Sequence, residues 1–201
     1  MALLSLFENN YEKTLMWVLI GVFLDSFDGL VARAFRATTE IGKQLDSLCD
    51  VISFGVVPGY FMYKYLSDFL SYELVPLSLS AFVVTLASIF RLARFNITPS
   101  SQLDFQGLPT PAFALFVIGI PFIPYEINPI IITVIVALLT VLMVSKIMLP
   151  SQKFVNGKPS NFFWIFAVVA IPVLLIFRSQ ALSLTVLTYA FFGMLCMRLR
   201  A

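Results

Sequence analysis

Long apolar runs separated by short polar breaks fill almost the whole chain. The runs cover about residues 14–33, 43–66, 75–95, 111–124, 127–147, 161–177 and 180–197. Most approach the ~20 residues with which a helix crosses the hydrocarbon of a bilayer. The breaks hold the polar and turn-forming residues. Arg36, Thr38, Thr39, Glu40 and Gly42 follow the first run, and Asp68 and Glu73 the second. The segment 96–110 ends in QGLPTP, PFIPYEINP closes the fourth run, and SKIMLPSQKFVNGKPSN follows the fifth. Pro58 and Gly59 inside the second run predict a kink. Residues 1–13 open with an apolar piece too short to span. The expected fold class is all-α: a polytopic integral membrane helical bundle of about seven spans, forming a single membrane domain over residues 1–201.

Composition agrees with that pattern. Hydrophobic residues make up 60% of the 201 residues and charged residues 12%, about half the charge fraction of a soluble domain. The net charge is +2, and the basic residues are not clustered as a nucleic-acid surface needs. There is no histidine. Acid–base chemistry therefore falls to a carboxylate, lysine, tyrosine or cysteine, and zinc loses its commonest ligand. Cys49 and Cys196 lie in apolar runs and are expected to pack as small core residues.

Lysine and arginine set the topology. Arg33, Arg36, Lys43, Arg91, Arg94, Lys146, Lys153, Lys158, Arg198 and Arg200, ten of the 13 basic residues, fall on one set of alternate breaks. The other set holds Lys13, Lys64 and Arg178. The ten-residue side is cytoplasmic by this rule, which leaves the N-terminus outside. The protein is expected in the cell membrane, inner or plasma, with residues 25–50 facing the cytoplasm.

That 25–50 stretch carries the chemistry. Asp25 and Asp28 close the first run, and Asp46 and Asp50 open the second. Helical spacing puts each pair on one face. If the two helices pack antiparallel, four carboxylates converge and repel strongly at low dielectric. One or two divalent cations relieve that repulsion, and oxygen-only ligands favour magnesium or manganese, or calcium, over zinc. Gly29 and Ala32 leave room for a ligand to approach. Gly42 opens the second helix, where free N–H groups suit a phosphate, and Arg33 and Lys43 add positive charge. A carboxylate-held metal beside phosphate-binding groups implies phosphoryl transfer on a diphosphate. The plainer reading, that these acids only pair with Arg33, Arg36 and Lys43, leaves four acids at helical spacing unexplained.

The run Asp25-x-x-Asp28-Gly29-x-x-Ala32-Arg33, eight residues, Gly42-x-x-x-Asp46-x-x-x-Asp50 resembles the signature of the CDP-alcohol phosphatidyltransferases at every fixed position. DSLCDVISFGVVP, RLARFN at 91–96 and GLPTPA at 107–112 are similar to the phosphatidylserine synthase branch. The resemblance covers about residues 15–125. It implies a catalytic core over 14–147 and two additional C-terminal helices over 148–201. It further implies transfer of the phosphatidyl group from CDP-diacylglycerol to L-serine, with release of CMP. Asp25, Asp28 and Asp46 are then metal ligands. Asp50 is the general base and a further metal contact. Asp25, Gly29, Ala32, Arg33, Gly42, Lys43 and Asp46 form the CDP site. A carboxylate base is also what the lack of histidine leaves open.

For the acceptor, Arg91 and Arg94 are candidates to hold the serine carboxylate in a bidentate fork, with Asn96, Gln106 and Thr110 as polar neighbours. Both arginines also suit plain membrane anchoring. Two alternatives stay open: the same chemistry on glycerol 3-phosphate or inositol, and a small membrane transporter. Acids at one membrane edge on two helices favour the enzyme over the transporter. The resemblance also implies a homodimer. Members of the family carry one more helix ahead of the first aspartate span, where this chain has MALLSLFENN, so a further apolar span is expected upstream.

Overall fold

The computed structural model of the chain describes residues 1–34, 39–69, 78–97, 105–123, 125, 127–149, 154–155, 158–159 and 181–200. The run expected at 161–177 lies outside the described residues, as do Arg36, Thr38, Glu73 and Lys153.

The remaining apolar runs are helices. A short α1 (Ala2–Phe7) turns at Asn9, whose φ is 58°, into α2 (Tyr11–Ala34). Asn10 caps this entry by accepting from the Lys13 N–H at 3.0 Å. The second run is one continuous helical stretch in three parts: α3 (Glu40–Asp50), a π-helical segment (Val51–Val56) and α4 (Val57–Phe69). A 3₁₀ lead-in at 78–82 opens α5 (Val83–Ile97). Then come α6 (Thr110–Gly119), extended by a 3₁₀ turn (Ile120–Phe122), α7 (Pro129–Val144) and α8 (Ala181–Arg200).

The kink expected at Pro58 takes the form of the π segment just before it. Proline has no N–H for the Phe54 carbonyl to meet in an α-helix, and a widened turn accommodates the loss. The same segment packs against α5. A Cβ on Gly55 would stand 3.0 Å from the Ser88 Cβ, and the Gly55 carbonyl accepts from Thr85 Oγ1 at 3.1 Å. Glycine is what lets these two backbones approach.

Helix α6 is the hub. It packs on α2, α4, α7 and α8, and Phe113, Ala114, Phe116, Val117 and Ile118 are all buried. A helix apolar all round has to sit inside its neighbours. The outer faces are apolar too. Leu86 and Phe90 on α5, and Val134, Leu138 and Val141 on α7, are exposed. On α3, exposed Ile41, Leu45 and Leu48 continue into Ile52 as a stripe at helical spacing. Contiguous apolar surface of this kind suits contact with lipid rather than water. Two stretches among the described residues, Glu40–Asp68 and Ser78–Ile97, are long and apolar enough to cross a membrane, and three shorter apolar helices accompany them.

The breaks expected as plain loops contain two minimal antiparallel β pairs, a departure from a purely helical fold. β1 (Phe105–Gln106) pairs with β2 (Met148–Leu149), and β3 (Phe154–Val155) with β4 (Lys158–Pro159). The first pair ties the α5–α6 connection to the end of α7. Gly107, at φ 70°, donates its N–H to the Ile147 carbonyl at 2.9 Å. Cys49, expected to pack, is exposed, because it lies on the side of α3 away from the bundle.

Candidate active site

Three of the helices described above deliver charged side chains to one place. Asp25 lies near the C-terminal end of α2, Asp46 and Asp50 on the last turns of α3, and Arg91 on α5. The Asp25 and Asp50 carboxyl groups approach each other between α2 and α3, near enough for their charges to interact. Asp46 and Arg91 are near enough for their charges to act on Asp50. Asp25 and Asp50 are half-buried and Asp46 is exposed, so the cluster opens outward on the Asp46 side. Of the four acids expected to converge, Asp25 and Asp46 lie near enough to Asp50 for their charges to act on it. The side chain of Asp28 lies outside the described residues, as do those of Ala32 and Arg33; these positions and Gly29 are described only as α2 backbone.

Among the described residues, no group of three histidine, cysteine, aspartate or glutamate side chains stands close enough to hold a metal. The chemistry of the donors nonetheless fits a hard cation. Carboxylates brought together at low dielectric repel one another, and a divalent ion with oxygen ligands relieves that repulsion.

The start of α3 is built differently from the expectation. Thr39 is its N-cap, and its Oγ1 accepts from the Gly42 N–H at 3.0 Å. The Gly42 N–H is thus engaged rather than free for a phosphate. Lys43 Nζ donates to the Asn96 carbonyl at 3.0 Å. Asn96 Nδ2 donates to Ser47 Oγ at 2.9 Å and to Gln44 Oε1 at 3.3 Å. Lys43, Gln44, Ser47 and Asn96 therefore brace α3 against the end of α5, holding Asp46 and Asp50 in place. Ser47 and Gln44 were not singled out from sequence. Their position within one turn of Asp46 was the available signal.

The acceptor candidates Arg91, Arg94, Asn96 and Thr110 separate into two kinds, and Gln106 lies in β1. Arg94 donates from Nη1 to the Val144 carbonyl at 2.7 Å and from Nη2 to the Ser145 carbonyl at 2.9 Å. It closes the C-terminus of α7, where a cation also meets the helix dipole favourably. Asn96 serves the brace. Thr110, at the start of α6, accepts from Arg91 Nη1 at 3.3 Å. Arg91 itself is 6% exposed, and its Nε–H has no hydrogen-bond partner. A buried guanidinium with one open donor is costly unless something fills that place.

Comparison with known proteins names the group. Residues 1–146 match the family model described as CDP-alcohol phosphatidyltransferase. The chain belongs to the CDP-alcohol phosphatidyltransferase family. Among relatives in this family, the CDP-diacylglycerol–serine O-phosphatidyltransferase of Bacillus subtilis is 33% identical over 153 residues, covering 76% of this chain and 83% of its own. The protein of the same name from Methanocaldococcus jannaschii is 34% identical over 195 residues, covering 96% and 86%. That of Helicobacter pylori is 31% identical over 207 residues, covering 97% and 85%.

Proposed function

We propose that the protein transfers the phosphatidyl group of CDP-diacylglycerol to L-serine, giving phosphatidylserine and CMP. The observation that carries this reading is the junction of Asp25, Asp46 and Asp50 beside buried Arg91, in a chain whose relatives bear that activity in their names.

In this reading Asp25, Asp28, Asp46 and Asp50 hold one or two magnesium or manganese ions. A bound ion of this kind offsets charge on the diphosphate oxygens. Gly29, Ala32 and Arg33 on α2, with Gly42 and Lys43 on α3, border the CDP moiety, together with Asp25 and Asp46. Asp50 takes the proton of the serine hydroxyl as that oxygen attacks the phosphorus bearing the diacylglycerol. The bond from this phosphorus to the bridging diphosphate oxygen breaks, and CMP leaves with that oxygen. Arg91 holds the serine carboxylate through its open Nε side, so the hydroxyl is presented to phosphorus and base together. Thr110 orients Arg91, while Arg94 and Asn96 act behind it as braces of α7 and α3.

The protein is proposed as a multi-pass protein of the cell membrane with about seven spans and the aspartates on the cytoplasmic side. The ten basic residues on that side support this orientation. Such a site takes the diphosphate from solution level while the acyl chains stay in lipid. An acceptor panel tests the assignment. The purified chain, given CDP-diacylglycerol and manganese or magnesium, is expected to release CMP with L-serine and not with glycerol 3-phosphate or inositol. A single carboxylate-binding arginine favours serine, and release driven equally by either rival acceptor would overturn the choice.

A further inference from the structure

We infer that Tyr189 of α8 is a positioning residue for Arg91, so that the C-terminal helix forms one wall of the acceptor pocket. This rests on the reading of Arg91 as the group that binds the acceptor carboxylate. The family match ends at residue 146 and gives α8 no role.

The geometry comes from the register of α8 on α6. Ser183 Oγ donates to the Phe116 carbonyl at 2.8 Å, a buried bond that pins one point of contact. Six residues back along α6 from Phe116 stands Thr110, which holds Arg91. Six residues on along α8 from Ser183 stands Tyr189. Helix α8 also packs on β2, whose partner β1 lies just ahead of α6, so the two helices run antiparallel. At 1.5 Å per residue each step is about 9 Å, which brings Tyr189 level with Thr110 and its arginine. Two further facts agree. Val186, Tyr189 and Ala190 are buried, as residues on the face turned to α6 must be. The Tyr189 phenol is also near enough to Arg91 for an electrostatic interaction.

A phenol at that level offers an oxygen acceptor to a guanidinium that burial has stripped of water, which a phenylalanine would not. With Nη1 on Thr110, an acceptor at Tyr189 would favour one orientation of the guanidinium fork and leave the unpaired Nε–H for a carboxylate oxygen.

The test is steady-state kinetics of the full chain in CDP-diacylglycerol micelles. Tyr189→Phe keeps the ring and is expected to raise the serine KM about five- to tenfold, the loss of one interaction with a charged group. Its kcat, its KM for CDP-diacylglycerol and its melting temperature are expected to stay unchanged. Val186→Ala, a packing change on the same face, is expected to leave the serine KM alone. An unchanged serine KM in Tyr189→Phe, with a raised one in Arg91→Lys, overturns the role of Tyr189 only. An unchanged serine KM in both variants overturns the reading of Arg91 as well. An equal rise in Tyr189→Phe and Val186→Ala reduces Tyr189 to packing and also overturns the inference.

Discussion

Asp50→Asn is expected to lower serine-dependent CMP release by a factor of about 100 to 10,000, the range for loss of a positioned general base. The variant is expected to fold as well as the parent or better. The asparagine keeps the size of the side chain, and its neutral amide can donate to the nearby Asp25 carboxylate. The substitution also removes one of the carboxylates gathered at this site, and like charges at low dielectric are costly. Melting in detergent then separates the two effects: stability survives while turnover is lost. A variant that turns over at the parental rate would remove Asp50 from the chemistry. A variant that is inactive only because it unfolds would remove the argument from charge.

Chelation is expected to be as damaging. EDTA treatment should abolish serine-dependent CMP release, and added magnesium or manganese should restore it. Zinc is a poor replacement where no histidine is present and the proposed ligand atoms are all carboxylate oxygens. Asp25→Asn is expected to raise the metal concentration needed for half-maximal rate by at least about tenfold, because a carboxylate ligand becomes a neutral amide. Rates insensitive to EDTA, or an unchanged metal requirement in Asp25→Asn, would contradict the assignment of these acids as ligands.

Much of the site was legible because helical spacing is strict. Asp46 and Asp50 had to share a face of α3, and antiparallel packing of α2 on it was enough to bring Asp25 near them. The apolar runs were legible for the same reason: length and hydropathy leave helices few alternatives. The fine structure around Asp50 was not. Pro58 signalled a disturbance, but the π segment lies over Val51–Val56, where Gly55 lets α5 come close. That close approach depends on Thr85, 30 residues further along the chain, and on Ser88 beyond it.

The arginines show the same limit. Arg91 and Arg94 are one turn apart in a run of similar residues, and sequence offers no way to divide them. Packing does. Arg94 reaches the last carbonyls of α7, whereas Arg91 turns inward to Thr110 and Asp50. Helix α8 was legible as an apolar run but gave no signal of a role at the site. Tyr189 sits among leucines, valines and phenylalanines, and only the Ser183–Phe116 bond fixes which of them reaches the site. The β1–β2 pair is invisible for a related reason, since two residues per strand carry no periodicity to read.

The central claim is that the phosphatidyl group itself moves to serine. It is tested most directly with CDP-diacylglycerol labelled at the phosphorus that bears the lipid. Incubated with the purified protein, metal and L-serine, that label is expected to appear in phosphatidylserine, one for each unlabelled CMP released. Label in CMP, or in phosphatidic acid formed without serine, would contradict the account.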